Sequence, residues 1–354
     1  MNKKMNKSIK DSAFISVLKR EWIRMISRKL YFGVCIVLPL FCIFFMATIF
    51  GSGQMENIPV GVVDHDQTTT SRSIIRTVSA VPTFKVTEYY IDDISARSAT
   101  QKKQIYGYLV IPPNFEDNLL NGNGSTLSYY YHYALLSVGS EVRGAFETVL
   151  QTLSLSPIVI EATALGINEN LIESFLVPVN TQSHPLYNPD LDYSVYLSNP
   201  FFFILFQIII LLVTVYSIGI EIKFKTGSVW LECANKNMVI AILGKMVPYT
   251  VIFVIMGIFA NYVMFGVMHI PFSCGFWPLN LTTVLFIIAT QFLGVFLFSL
   301  FPAISIIISI VSMVGSLGAT LSGVTFPAPF FFPIIYYLSF LFPVRHFIEI
   351  NQNL

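Results

Sequence analysis

One uncharged stretch constrains this chain more than any other feature. Between Met246 and Val344 there are 99 residues without a single Asp, Glu, Lys or Arg. A soluble domain has roughly a quarter of its residues charged, so it could not cover its surface with such a sequence. We therefore place this stretch in a lipid bilayer. The composition agrees, since 54% of the 354 residues are hydrophobic and only 12% are charged, which indicates an integral membrane protein.

The apolar sequence divides into helices of membrane-spanning length. About 20 helical residues cross the roughly 30 Å hydrocarbon core. This length predicts transmembrane helices at 31–51 and 200–220, and three more within 246–324, at 246–268, 279–301 and 303–324. The first span lacks an A-x-A-like cleavage site, so we predict an uncleaved anchor rather than a signal peptide.

The last segment, residues 325–354, differs from the spans before it. Its apolar part holds four prolines between Phe326 and Val344. Because each proline removes a backbone donor and interrupts a helix, we predict a re-entrant hairpin followed by a short C-terminal end. A full span is the alternative.

Charge bias orients the chain. Residues 1–30 carry nine basic and two acidic side chains, and residues 221–245 carry four lysines and two glutamates. The positive-inside rule places both segments in the cytoplasm. In the first segment, apolar residues recur at helical spacing and arginines lie on another face: Phe14, Leu18, Trp22, Met25 and Ile26 against Arg20, Arg24 and Arg28. This pattern predicts an amphipathic basic helix in the membrane surface, with a solvated tail as the alternative.

Residues 52–199 have a different character. Their fifteen acidic and seven basic side chains fit a domain outside the cytoplasm. Strands are predicted at 58–63, 84–90, 106–111 and 127–133, and helices at 71–80, 92–104 and 140–165. This alternation predicts an α/β domain with a mixed or parallel sheet. The predicted fold class is an α-helical polytopic membrane protein with an inserted α/β extracytoplasmic domain between the first and second transmembrane helices.

The sequence lacks the motifs of common enzyme classes. It has no G-x-x-x-x-G-K-[ST] phosphate loop, no C-x-x-C, no H-E-x-x-H and no G-x-S-x-G. The five histidines are scattered, so neither a metal site nor a catalytic residue is predicted. Asp64, His65 and Asp66 follow a strand, where a turn or a helix cap is favoured over a cation site. The apolar block also lacks the ionisable groups of ion-coupled transporters, so we expect the energy source to be another subunit.

The cytoplasmic segment 221–245 is the predicted docking element for that subunit. It begins with charged residues, is interrupted at Gly227 and continues through the apolar side chains of Val229, Trp230 and Leu231. A short amphipathic helix of this kind fits a groove on a partner protein. An ordinary polar loop is the alternative.

Five short motifs follow one another between residues 58 and 349. In order along the chain, the residues that define them are Asp64 and Asp66 with Ser71 and Arg72; Pro112 and Phe115; Tyr187, Asn188 and Pro189; Thr226 and Gly227 with Gly244, Lys245, Pro248 and Tyr249; and Pro343, Arg345 and His346. Together these motifs resemble those of type-2 ABC exporter permeases, the drug-efflux-like bacterial branch. The resemblance gives these residues structural roles in the fold of that family.

The resemblance also implies a function. A separate ABC ATPase subunit would bind ATP-Mg, and this chain would bind no cofactor. The chain would export a substrate that the sequence does not identify, and an amphipathic molecule is compatible with its membrane region. The other implied partners are the lipid bilayer, a second permease subunit in a homodimer or heterodimer, and a periplasmic membrane-fusion protein. No nucleic-acid partner is implied. The implied location is the bacterial cytoplasmic (inner) membrane, multi-pass, with a cytoplasmic N-terminus. The residues expected to couple the ATPase are Glu221, Lys223, Lys225, Thr226, Gly227, Trp230 and Glu232.

The sequence departs from the family pattern in two places. The coupling segment of the family commonly reads R-E-R-E-h-G-T, whereas Glu221 is followed here by Ile-Lys-Phe-Lys-Thr-Gly. The family also continues past Arg345 and His346 into a sixth span, so we expect this chain to lack the last transmembrane helix. A membrane-anchored receptor that binds a ligand through the α/β domain is the alternative function. A membrane enzyme acting on lipids is a third.

Overall fold

The computed structural model describes residues 2–49, 55–121, 125–164, 192, 194–270 and 275–353. The chain divides into two compact units, one formed by Met1–Gly53 with Asp190–Leu354 and the other by Gln54–Pro189. In chain order the helices are α1 (Asn2–Ser27), α2 (Lys29–Ile49), α3 (Thr69–Ser79), α4 (Asp93–Gln101), α5 (Phe115–Leu120), α6 (Leu136–Ala164), α7 (Ser194–Lys223), α8 (Gly227–Cys233), α9 (Met238–Val267), α10 (Phe276–Leu300), α11 (Ile304–Thr320), α12 (Pro333–Ser339) and α13 (Pro343–Asn353). Three of them contain π-helical turns, at Gly33–Val37, Ser194–Ser198 and Tyr262–Val267.

Four helices of the first unit, α2, α7, α9 and α10, are long and apolar enough to cross a membrane. They coincide with the first four predicted spans, although α9 begins at Met238 rather than at Met246. The prediction of an α-helical polytopic membrane protein is thereby confirmed. In α7, 72% of the most apolar window is buried, against 28–39% in the other three helices. The central helix of this unit is therefore α7.

The fifth predicted span is shorter than expected. Helix α11 has 17 residues and ends at Thr320, where the prediction continued to Val324. The chain then turns, and Gly323 adopts a φ of +90° that residues with a side chain rarely adopt. This turn ends the helix before it reaches full spanning length.

The proline-rich segment after α11 forms short helices instead of a long one. A 3₁₀ turn covers Ala328–Phe330, and α12 has seven residues. At 1.5 Å per residue, such a helix is too short to cross a bilayer. The re-entrant placement of this segment stays a prediction.

The second unit contains a four-stranded sheet. Its strands are β1 (Ile58–Asp64), β2 (Phe84–Tyr90), β3 (Gly107–Ile111) and β4 (Ser128–Tyr131), in the order β2-β1-β3-β4. Strand β1 runs parallel to β2 and β3, and β4 runs antiparallel to β3. The prediction missed α5 but placed the other elements within a few residues, apart from α6, which begins four residues earlier.

The two faces of the sheet are covered by different helices. Alternate residues of β1 face opposite sides: Val60 and Val62 pack in a core with α3 and α6, whereas Val63 packs with Ala96 of α4. Phe146 of α6 is fully buried in the larger core. Side chains cap two of these helices, since Thr68 accepts from Ser71 N at the start of α3, and Asp92 accepts from Ser95 N at the start of α4.

Replacing Gly107 by alanine should destabilise the α/β unit. A Cβ atom there would lie 2.8 Å from Cγ1 of Val142 and 2.9 Å from the backbone oxygen of Tyr130, which the β3–β4 pairing holds in place. Overpacking of this kind costs about 1–3 kcal/mol. Hydrogen–deuterium exchange of the β3 amides should therefore become faster by about fivefold or more.

The matched control for this change is Gly144→Ala. A Cβ atom at Gly144 meets nothing within 4 Å, and alanine favours a helix over glycine by about 1 kcal/mol. This variant should leave β3 exchange unchanged or slower. Equal exchange rates in Gly107→Ala and the parent chain would contradict the described packing.

Candidate functional site

A buried carboxylate marks the end of the central helix. Glu221 follows the long apolar run of α7 and is only 1% exposed. A charge in such a place is strongly unfavourable unless other charges and hydrogen bonds compensate it. The folded chain must therefore bring cations to this point.

Lys245 of α9 supplies one of them. Its ammonium nitrogen lies 2.7 Å from Oε2 of Glu21 and 2.8 Å from Oε1 of Glu221. The side chains of Lys245 and Glu21 are both 0% exposed. One lysine therefore bridges two buried carboxylates that come from α1 and α7.

Two arginines of α1 complete the charge balance. Arg20 donates from both terminal nitrogens to the two carboxylate oxygens of Glu221, at 2.8 and 2.9 Å. Arg24 donates to Glu221 and lies 3.6 Å from Glu21. Three cations thus face two carboxylates, and the excess positive charge lies at the rim, where Arg20 is 21% and Arg24 is 16% exposed.

Neutral side chains close the group that we call the ion cluster: Arg20, Glu21, Arg24, Glu221 and Lys245. The hydroxyl of Tyr249 donates to Oε1 of Glu21 at 2.8 Å, and the hydroxyl of Thr226 donates to Oε2 of Glu221 at 2.5 Å. The ring of Trp230 in α8 lies 5.0 Å from the ammonium of Lys245, within range of a cation–π contact. The ion cluster therefore joins α1, α7, the start of α8 and α9.

Close helix packing brings these groups together. A Cβ atom on Gly244 would lie 3.0 Å from the side chain of Val17, which is tighter than an ordinary contact, so glycine at this position favours the close approach of α1 and α9. In α1, Val17, Glu21 and Met25 recur every four residues and are all buried, as expected for one face of a helix. The inward face of α1 thus carries Glu21 directly to Lys245.

The structure divides the predicted coupling residues into two groups. Glu221, Thr226 and Trp230 belong to the ion cluster or touch it. The other four lie around it without joining it: Lys223, Lys225 and Glu232 are exposed, and Gly227 begins α8. Of the exit motif, Lys245 and Tyr249 take part directly, Gly244 provides the close approach, and Pro248 is buried inside α9.

Sequence reasoning missed the contribution of α1. It placed Arg20 and Arg24 on the polar face of a surface helix, but the structure turns both toward Glu221. The apolar side chains of this helix are largely outward, with Phe14 38%, Trp22 40% and Ile26 70% exposed, and its placement in the membrane surface stays a prediction. The arginines turn inward because both pair with the buried carboxylate of Glu221, a partner that the hydrophobic pattern of α1 does not encode. Only the isolated Glu21 within a basic segment signalled this.

The first two family motifs form one turn in the α/β unit. Asp64 accepts hydrogen bonds from the backbone nitrogens of Asp66 and Gln67 and from the hydroxyl of Ser71, and Asp66 accepts from the backbone nitrogens of Phe115 and Glu116. The predicted turn-and-cap role is thus what the geometry shows. Hydrogen bonds from the hydroxyls of Thr70 and Thr69 lower the pKa of Glu116 beside it.

The remaining motif residues are structural in their contacts. Arg72 donates to the backbone oxygen of Gln67, Pro112 is half-buried and Phe115 is buried. Near the C-terminal end, Pro343 begins α13. Arg345 is 2% exposed, lies against the rings of Tyr336 and Phe340 and donates to Ser339, while His346 contacts the backbone oxygen of Phe340. Tyr187, Asn188 and Pro189 lie outside the described residues.

The described part of the chain contains no group of three or more His, Cys, Asp or Glu side chains placed to hold a metal ion. Its chemistry is that of a membrane protein whose helices are joined by a buried ion cluster. No curated protein and no solved structure matches the chain.

A family model described as ABC-2 family transporter protein matches residues 29–354. The chain belongs to this family, as the motifs predicted. It is therefore an ABC transporter permease subunit, a multi-pass membrane component rather than an ATPase, and membership implies an ATPase partner. The match begins after α1, although α1 supplies three of the five charged groups in the ion cluster.

Replacing Lys245 by methionine should destabilise the first unit. The change leaves Glu21 and Glu221 facing each other without the shared ammonium, and breaking a buried pair costs about 3–5 kcal/mol. The thermal unfolding midpoint of the purified chain in detergent should fall clearly. In the double variant Glu21→Gln/Lys245→Met, one uncompensated charge is gone, so part of the loss should be recovered.

The matched control is Lys236→Met, which removes an exposed lysine from the same cytoplasmic segment. It should change stability by no more than about 0.5 kcal/mol. If the effects of Glu21→Gln and Lys245→Met simply add in the double variant, the two side chains are not coupled and the described cluster is wrong.

Proposed function

We propose that this chain is the permease subunit of an ATP-driven bacterial exporter and that α8 receives the motion of a separate ATPase. The observation that carries the proposal is the position of the ion cluster, next to α8 and at the point where α1, α7 and α9 meet. The ATPase would bind ATP-Mg, and this chain would bind no cofactor.

The surface of α8 supports a docking role. Trp230 is buried against the ion cluster, whereas Val229 is 52% exposed and Glu232 is also exposed. One face of the helix is thus fixed to the membrane helices and the other is open to a partner. An amphipathic helix in a partner's groove is a common recognition mode.

The ion cluster supports transmission of that motion. Its charges form charge-assisted hydrogen bonds, which are shorter and stronger than neutral ones, and separating them within the protein would leave charges uncompensated. A displacement of α8 would therefore move α1, α7 and α9 together rather than break the cluster. In this scheme α1 moves with the spans at the membrane surface.

Charge bias supports the orientation. The basic residues of 1–30 and 221–245 place both segments in the cytoplasm, and the α/β unit then lies outside the cytoplasm. For the assembled exporter we propose a homodimer or heterodimer of permease subunits in the bacterial inner membrane, with a periplasmic membrane-fusion protein at the α/β unit. An amphipathic substrate would suit the aromatic-rich spans.

Co-purification tests the docking role of α8. A tagged chain solubilised in mild detergent should bring down an ABC ATPase subunit, and Val229→Asp or Glu232→Lys should abolish this capture because both change the open face of α8. Glu56→Lys is the matched control, since it makes the same charge change on an exposed residue of the α/β unit. Capture should persist in that variant.

Two results would contradict the proposal. A folded chain that captures no ATPase would exclude a coupled permease and would favour the alternative, a receptor that binds its ligand through the α/β unit. Loss of capture in Glu56→Lys but not in the α8 variants would place the ATPase docking site on the α/β unit instead of α8. Size-exclusion chromatography of each variant confirms that the chain remains folded.

Cysteine labelling tests the orientation independently. In a chain whose native cysteines are replaced by serine, Glu56→Cys should react with a membrane-impermeant maleimide in intact cells. Glu232→Cys should react only after the cells are opened, because the positive-inside rule places it in the cytoplasm. Labelling of residue 232 in intact cells would reverse the proposed topology.

A further inference from the structure

The α/β unit contains an open cleft of about 600 Å³. It lies between α4 and the edge strand β4, on the face of the sheet where α4 covers β1 and β3. Drug-sized ligands occupy pockets of about 300–1,000 Å³, so the size fits a small organic molecule. Its lining includes Asp93, Arg97, Tyr108, Tyr130, His132 and Tyr133.

Tyrosine rings form the floor and one wall of the cleft. Tyr108 and Tyr130 are directly paired across β3 and β4, and their rings stack with centroids 4.9 Å apart. Tyr108 is 3% exposed, whereas Tyr130 is 46% and Tyr133 is 49% exposed. Tyr130 and Tyr133 therefore offer ring surface to a ligand, and the face of an aromatic ring attracts cations.

The charges of the surroundings favour a positive ligand. Asp93 and Arg97 both line it, one helical turn apart. Burial and the negative charge of Asp93 raise the pKa of Tyr108 to about 12, and Arg97 opposes this less strongly. Residues 55–164 carry eleven acidic and seven basic side chains, a difference of −4, so the surroundings have the same sign as Asp93.

One of the residues that line the cleft, His132, has an unsatisfied ring nitrogen. Nδ1 of His132 is buried and has no hydrogen-bond partner among the described residues. In the tautomer that carries its proton on Nε2, this nitrogen accepts a hydrogen bond. A ligand with an N–H group would satisfy it.

We propose that this cleft binds a protonated organic amine that carries an aromatic or other apolar ring. The ammonium lies between Asp93 and the face of Tyr130, within reach of His132, and the ring of the ligand packs against the tyrosines. This site lies within the α/β unit, and its binding is independent of ATPase coupling through α8.

Equilibrium dialysis of the full-length chain in detergent tests the site with radiolabelled 2-phenylethylammonium. Unlabelled propylbenzene, the neutral compound of nearly the same shape, should compete poorly, and so should 3-phenylpropionate, which carries the opposite charge. Asp93→Asn and Tyr130→Ala should each weaken binding about two- to fivefold or more, the loss expected for a cation–π or exposed charge contact. Tyr130→Phe keeps the ring and should retain binding.

Matched controls separate the cleft from general effects. Asp117→Asn removes a negative charge elsewhere in the same unit, and Tyr89→Ala removes an exposed ring outside the cleft. Both should bind the amine as the parent chain does. Hydrogen–deuterium exchange of β3 in each variant confirms that the unit remains folded.

Three results would overturn the proposal. Equal competition by propylbenzene would mean that only apolar contact is involved. Tighter binding of 3-phenylpropionate would mean that Arg97, not Asp93, governs the cleft. Absence of amine binding to the folded chain, or unchanged binding in both cleft variants, would exclude the site. None of these outcomes bears on ATPase capture, so failure here is distinguishable from failure of the proposed function.

Discussion

The contact on which the transmembrane unit depends is the bridge from Lys245 to Glu21 and Glu221. All three groups are fully or almost fully buried, and each would be strongly unfavourable alone in that place. Because the three groups come from α9, α1 and α7, satisfying them fixes the relative positions of three helices at once. The other contacts between the spans are mostly apolar, with a few neutral hydrogen bonds such as that from Asn261 to Asn280, and these are less selective about register and rotation than a set of charge-assisted hydrogen bonds.

The ion cluster thus lies next to the uncharged membrane stretch between Met246 and Val344. The cluster adjoins α8, whose inner face carries Trp230 against Lys245 and whose outer face is open. In the proposed mechanism, this attachment lets a displacement of α8 reach the spans. The α/β unit is built on a different principle, with two apolar cores on the faces of a four-stranded sheet.

Much of the fold followed from local pattern. The lengths of the apolar runs gave four spans, and alternation of strand and helix signals gave four strands of the sheet, because hydrophobic period and span length are local properties. Turn chemistry at Asp64 and Asp66 was also readable. By contrast, α11 ends early at a turn through Gly323, and α5 was missed, since its six residues carry too little periodicity to stand out.

The sequence by itself determined that this chain is a polytopic membrane protein, that its polar segments carry opposite charge bias, and that its motifs match one transporter family. Only the tertiary structure decided that Arg20 and Arg24 face inward, that Glu21 shares Lys245 with Glu221, and that Tyr130 stacks on Tyr108 beside Asp93. The physical reason is distance along the chain. Pairing between residues more than 200 positions apart depends on how helices pack, and neither composition nor periodicity contains that information.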